Sequence, residues 1–565
     1  MCLSSIISHR QIERFLKILT RTTAHLCEIK NARAPLCKLP VEILTKILDF
    51  VPDPLGPSSQ RLELFWYSAA KDSTMLLPIT RTCRYLRSVA LSNPWTVTTS
   101  STFPATPSFI RDSVPLIVVV TPSEGFKKIL DAFYPSHARS IREIHFTNIG
   151  CEHINYCQSL VKYVTPELTS YAFCGTPRDF HHWQTYKLPL SPDSTLSLRH
   201  LDICNAPLLP PSPLPRLTHL SLRSLAMPGL HTTIANFLPL CPELEALVLS
   251  SLLDQNDHTL IPNPRPLHIA KLRRLTIHGM MQPALQFYLT LFPWGDSQSA
   301  TQLLSNVRAA SVVSPWLSRD LIVQEATVLA FTNAHHRSPP NWHGMAITMV
   351  TPKHVAHVVR SDHGIRAQPH NHSTVDVPNW YTDILPRAIA LSSVREVWVT
   401  NVCVERDPEF GVLRSIIRSL PTLETLVLKD TSHHGNTIPL SPDLRMCPSA
   451  LDSSFQSHRL KTLRLVHGLP PQSSSAHTYV LYALSLTDML GQLRTGAYDY
   501  FDRLIVQVAR QLVVNEADIA RLREHFSMVR VEYVDVLPDI ALPAYCEEPK
   551  AGHYKSRPEW VGALW

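Results

Sequence analysis

Leu217-Thr218-His219-Leu220-Ser221-Leu222 and, downstream, Leu244-Glu245-Ala246-Leu247-Val248-Leu249 share one pattern. An apolar residue is followed by two variable positions, an apolar residue, one variable position and a last apolar residue. The final two apolar residues are two apart, so in a strand their side chains point to the same face. The spacing recurs as Ile141-Ile144-Phe146, Leu168-Tyr171-Phe173, Leu198-Leu201-Ile203 and Leu272-Leu275-Ile277. It returns as Val394-Val397-Val399, Leu423-Leu426-Leu428, Leu460-Leu463-Leu465 and Phe501-Leu504-Val506. Successive starts lie 27, 30, 19, 27 and 28 residues apart in the first block, and 29, 37 and 41 apart in the second.

Most of these steps resemble the period of leucine-rich repeats, whose units of about 20 to 29 residues each supply one strand to a parallel sheet. Proline-containing turns precede several motifs, as in Pro213-Leu214-Pro215-Arg216-Leu217 and Cys241-Pro242-Glu243-Leu244. Helical apolar spacing follows others, over 230–240 and 409–420. Strand then helix, repeated, predicts a right-handed solenoid of the degenerate kind, because the asparagine ladder of regular repeats is missing. The interval of 122 residues between Leu272 and Val394 has room for further units. Its candidates are Ala326-Leu329-Phe331 and Trp342-Met345-Ile347. The competing reading is an ordinary α/β domain whose strands share this texture.

Upstream of the repeats lies Leu36-Cys37-Lys38-Leu39-Pro40-Val41-Glu42-Ile43-Leu44-Thr45-Lys46-Ile47-Leu48-Asp49-Phe50. Proline is tolerated in a first helical turn, and Glu42 there meets the positive end of the helix. Ile43, Leu44, Ile47 and Leu48 then form a dense apolar ridge. A second fragment runs from Pro78 through Cys83-Arg84-Tyr85-Leu86-Arg87 to Ser92-Asn93-Pro94-Trp95. In this order the two fragments resemble an F-box, the helical module that docks onto the Skp-type adaptor of cullin–RING ubiquitin ligases. The resemblance covers Leu36 to about Trp95, with Leu86 where many members carry Trp. It implies an adaptor-binding set of Leu39, Pro40, Ile43, Leu44, Ile47, Leu48, Cys83 and Leu86. The layout of a short helical module before a proline-rich solenoid is similar to the large F-box families of fungi.

Apolar spacing at Ile12, Phe15, Leu16, Leu19 and Leu26 predicts a helix over about 9–29, expected to pack within the chain or on another helix. Residues 96–106 read as a connection, followed by a buried strand near 113–120 and an amphipathic helix from Ser123 through Phe126, Ile129, Leu130 and Phe133. Residues 477–493 read as a helix, 528–536 as a last strand, and 538–565 as loop that caps the solenoid. The expected organisation is α/β: an N-terminal helix over 1–35, an F-box-like all-α module over 36–96, a connection over 97–140, the solenoid over 141–510 and a cap over 511–565.

Composition bounds the function. With 44% hydrophobic and 18% charged residues the chain reads among folded proteins and away from disordered ones. A net charge of +7 is dispersed; the small cluster Arg265, Lys271, Arg273 and Arg274 reads as a solvated edge, so nucleic acid is not an expected partner. The 12 cysteines form no CxxC pair and no secretory leader is evident, which fits free thiols in a reducing compartment, cytoplasmic, nuclear or both. The apolar run at 115–120 is too short to span a bilayer, which needs about 20 residues.

Chemistry-bearing motifs are scarce. GxSxG, HExxH, GxGxxG and GxxxxGK[ST] are absent from the sequence, and His335, His336, His370, His372 and Cys403 lack a zinc-ligand framework. No catalytic residue, metal or cofactor is expected. Two binding functions remain, with an enzyme of unrecognised site a distant third. In the first, the resemblance implies a substrate-recognition subunit of an SCF-type ligase, its solenoid holding a target protein. In the second, a scaffold uses the F-box-like helices as the cap that a solenoid needs. Trp183, Trp316, Trp342 and Trp398 are candidate target anchors, each with core packing as the alternative.

Overall fold

The computed structural model describes residues 9–49, 76–98, 114–176, 186–254, 264–292, 301–305, 325–333, 344–361, 391–400, 420–430, 438–439, 460–468, 482–485 and 501–541, apart from 81, 93–94, 123–125, 163–166, 189, 191, 207, 281, 353–354 and 511. The chain divides into two compact units, Met1–Leu217 and Thr218–Trp565. It is mixed α/β, with a helical segment at the N-terminus and parallel sheets after it.

In the first unit the helices His9–Arg33, Val41–Asp49, Leu77–Thr80 and Arg84–Ser92 precede the first strand. A parallel sheet then runs Trp95–Thr98, Leu116–Val120, Ile141–Ile149, Ser170–Gly175, His200–Cys204 in neighbour order. Every residue of Leu116–Val120 is buried, as its β-branched run requires of a strand covered on both faces. The helices Phe126–His137 and Ile154–Lys162 lie between successive strands. Parallel neighbours need such crossovers, because a tight hairpin cannot return the chain in the same direction.

Strands of the second unit pair in the order His219–Arg223, Ala246–Ser250, Arg274–His278, Thr301–Ser305, Val355–Ser361, Gly344–Val350, Val328–Asn333, Glu396–Thr400, Thr425–Asp430, Thr462–His467, Arg503–Ala509, Met528–Val534. Neighbours are parallel except at Gly344–Val350, which is antiparallel to both flanking strands. The candidate repeat holding Met345 and Ile347 therefore does not run with the others. Four residues, 351–354, separate it from Val355–Ser361, and a connection that short can only reverse direction.

Register explains the spaced apolar residues. Ile144, Tyr171 and Leu201 face one another across three strands, with Phe146, Phe173 and Ile203 alongside. Leu220, Leu247 and Leu275 do the same beside Leu222, Leu249 and Ile277. Leu329, Val397, Leu426, Leu463 and Leu504 form the longest row. These side chains are buried, and so is the first motif residue, which stands two positions before its strand in Leu168, Leu217, Leu244, Val394, Leu423 and Leu460. The carbonyl after that residue starts the ladder: Thr218 accepts from Glu245 and Ala246, and Thr327 from Arg395 and Glu396. Two positions past the last motif residue the chain turns through left-handed backbone at Asn148, Asn205, Ser224, Ser251 and Gly279. Asn and Gly take that conformation at least cost.

Two further expectations need revision. Residues 96–106 do not start as a connection: Trp95–Thr98 is a strand, held by Leu116–Val120 as its parallel neighbour. Within 477–493 the described part, Tyr482–Ser485, is a strand rather than helix, because Leu512–Val514 and Ile438–Pro439 supply backbone partners on its two sides. The helical spacing at 409–419 lies outside the described residues. By contrast His9–Arg33, Phe126–His137, Leu230–Phe237 and Met528–Val534 form as their apolar spacing predicts.

Candidate functional site

Pro40 ends the turn Pro35–Lys38 and opens the helix Val41–Asp49, its carbonyl accepting from the Ile43 and Leu44 amides at 3.1 Å each. This helix packs on Arg84–Ser92, which buries Leu86, Val89 and Ala90. The apolar ridge is thereby split. Leu44 and Leu48 are 1% and 4% exposed, whereas Ile43 and Ile47 remain 43% and 40% exposed. The two pairs occupy adjacent i, i+4 rows, so a single partner helix covers one row and leaves the next in solvent. Pro40, Val41 and Leu36 are exposed beside them, and Leu39 is half-buried.

Polar contacts join the two sequence fragments across 46 residues. The Tyr85 hydroxyl donates to the Leu39 carbonyl at 2.9 Å, and the Cys37 and Cys83 sulfurs stand 4.0 Å apart. Burial, then the neighbouring Cys83 thiol, pushes the Cys37 thiol above its usual range, which keeps it protonated and unreactive. Arg87 Nε donates to the Thr80 carbonyl at 2.6 Å, and buried Trp95 donates to the Ala90 carbonyl at 3.0 Å. Of the sequence-expected set, Leu44, Leu48 and Leu86 are inside, Cys83 and Leu39 half-buried, and Pro40, Ile43 and Ile47 outside.

The helix His9–Arg33 keeps its apolar residues in water: Ile12, Phe15, Leu16, Leu19 and Leu26 are exposed. Intrachain packing, expected from the amphipathic spacing, does not cover that row. An ion pair of 2.9 Å from Glu28 to Arg84 ties the helix's end to the module.

In the second unit a polar row lies on the sheet face opposite the leucine ladder. The Arg464 guanidinium sits 5.6 Å over the Trp398 ring and donates to Gln507 at 2.5 Å. Gln507 in turn donates to Glu532 at 2.6 Å, which also pairs with Arg530. Trp398, a candidate exposed anchor, is 2% exposed and hydrogen-bonded to Glu396, so it is packed rather than presented. Trp183, Trp316 and Trp342 lie outside the described residues, as do His335, His336, His370, His372 and Cys403.

The nearest approach to a catalytic arrangement is Ser170 Oγ, 2.8 Å from His200 Nδ1, with Glu143 on the next strand. Burial lowers the His200 pKa to about 4, so its imidazole is neutral. A triad needs the imidazole between hydroxyl and carboxylate, but here the strand order places Ser170 in the middle, itself buried. The Cys157 thiol is pushed up to about 12 by burial, the opposite of an activated nucleophile. Among the described residues no group of three or more His, Cys, Asp or Glu could hold a metal ion, and no helix is long and apolar enough to cross a membrane. In the basic cluster Lys271 pairs with Glu243.

No protein-family model and no curated protein matches this chain. The geometry therefore stands on its own: an exposed apolar helix row near the N-terminus and, later in the chain, sheets built on apolar ladders.

Proposed function

We propose that the chain is a substrate-recognition subunit of an SCF-type ubiquitin ligase. Its N-terminal helices form an F-box that docks a Skp-type adaptor, and its in-register strands form a leucine-rich-repeat-like solenoid that holds a target protein. The observation that carries this reading is the exposure of Ile43 and Ile47, beside exposed Pro40 and Val41, on a helix anchored from behind by Leu44 and Leu48. A module serving only its own chain gains nothing from that row, whereas an adaptor groove covering it gains about 1.5 to 3 kcal/mol per side chain. The register rows of leucine and the recurrent left-handed turn support the repeat reading. The chain itself catalyses nothing here; it raises a target's effective concentration near a ubiquitin-charged enzyme in the cytoplasm, the nucleus or both.

Co-purification with the Skp-type adaptor tests this, using wild type beside an Ile43→Asp, Ile47→Asp variant. Exposed in the free chain, these charges leave folding intact but would stay unpaired in an apolar interface. Binding by wild type and not by the soluble variant is the expected result; equal binding by both, or by neither, sinks the reading. One observation favours a second reading, a scaffold whose helices are its own cap: Arg84–Ser92 leads directly into the strand Trp95–Thr98, with Trp95 bonded back to Ala90. That reading takes over if wild type fails to bind.

A further inference from the structure

After the strand Met528–Val534 the described residues 535–541 stay on the second unit. Asp535 pairs with Arg510 at 2.9 Å, and the next residues turn back over the sheet face that carries the polar row. Leu537 and Ile540 pack against a cluster of Ala330, Trp398, Val427 and Val466, and Ile540 also reaches a second cluster, Val350 and Val355. Ala330, Trp398 and Val427 are register partners on consecutive strands, so the segment lies across the strands and makes no ladder with them. Asp539 places a carboxylate oxygen 3.2 Å from Lys429 Nζ, whose side chain is only 11% exposed. Gly468 ends the strand Thr462–His467 where Leu537 arrives; a Cβ there would run into the Leu537 side chain.

We propose that this strap, residues 535–541, is a self-ligand, and that the face beneath it is a groove for an extended target segment of the same chemistry: apolar, any residue, acidic, apolar. The proposal rests on the reading of the sheet as a target-holding surface, and it names the class of target. Three features of the groove argue for that class. Apolar seats for Leu537 and Ile540 flank the site, and the Lys429 side chain, largely covered while a segment lies there, favours an acid, because a covered cation without a partner is unfavourable. Gly468 keeps the floor open for a close-lying chain. The strap itself is half-exposed and carries no ladder bonds, so it competes by effective concentration more than by intrinsic strength, and a segment of equal fit in another protein displaces it when delivered nearby.

The test uses the full chain and a fluorescein-labelled peptide of residues 534–541, read by anisotropy. A Leu537→Ser, Ile540→Ser variant, with its groove opened, is expected to bind the peptide at least tenfold tighter than wild type. Adding Lys429→Ala to that variant, or replacing the peptide's Asp539 equivalent by Asn, is expected to remove most of the gain. A variant that unfolds as cooperatively as wild type yet binds no better overturns the proposal. Should the variant fail to fold, hydrogen exchange on wild type decides: amides of 535–541 exchanging at least tenfold faster than those of Arg503–Ala509 support a displaceable strap, and exchange in step with that strand overturns it. Adaptor co-purification on the same variants separates the two ideas. Loss of adaptor binding with peptide binding intact fails the ligase reading alone; the converse fails the strap alone.

Discussion

Ile43 and Ile47 stand in solvent, while Leu247 and Leu463, equally apolar, are sealed inside their sheet. The difference is one of neighbours. Leu247 has Leu220 on one side and Leu275 on the other, and the pattern that placed it also placed them. The helix Val41–Asp49 has two apolar rows and packs on one nine-residue helix, Arg84–Ser92, which covers one row. Repetition buries apolar residues without any outside partner, whereas an isolated helical pair leaves some for another molecule.

The sharpest way to break that contrast is to truncate within the ladder. Leu247→Ala is expected to cost about 2 to 5 kcal/mol, because its register partners cannot collapse onto the cavity independently. Ile43→Ala, by the same contrast, is expected to leave urea unfolding within about 0.5 kcal/mol of wild type. Equal losses at the two sites would end the comparison.

Acid should act on the sheets before the helices. Burial lowers both His200 and His278 to about 4, against an unfolded value near 6.5. The unfolded chain therefore binds more protons between those values, and stability falls as pH drops from about 6.5 to 4. His278→Asn should flatten that fall by about 1 to 2 kcal/mol, after allowance for its partial exposure, in thermal melts compared at pH 7 and pH 4.5. An unchanged slope would place the acid sensitivity elsewhere.

Of similar size is the effect expected at the turns. Gly279 has a φ of 61°, and a Cβ there would stand 2.8 Å from Ser251 Oγ on the preceding turn. Gly279→Ala should cost about 1 to 2 kcal/mol. Ser251→Ala in the same background should recover part of it, which a purely conformational cost would not. At the bottom of the scale, the exposed Lys461–Asp502 pair at 3.3 Å is expected to contribute no more than about 0.5 kcal/mol, so Lys461→Ala should barely move the midpoint and should do so only at low salt.

Much of the sheet was legible because its signal is redundant. Each apolar triplet predicts a strand, and the spacing between triplets predicts that the strands run parallel, so the error at Met345 and Ile347 was confined to one member. Redundancy was lacking at Tyr482–Ser485, where four residues take their conformation from Leu512–Val514, distant in sequence. In the helical segment the apolar ridge was visible as a whole, but its division was not. Which of Ile43 and Leu44 turns inward depends on where Arg84–Ser92 docks, and that is set by Tyr85 on Leu39 and by the Cys37–Cys83 contact across 46 residues.

The sequence by itself determined the period, because a side chain that recurs at fixed spacing faces the same way in every strand, and hydrophobic burial then leaves few arrangements open. Only the tertiary structure decided which apolar residues remain outside, that Trp398 is packed rather than presented, and that Leu537 and Ile540 return over the sheet. Those outcomes depend on contacts between residues far apart in the chain, for which no local spacing carries a signal.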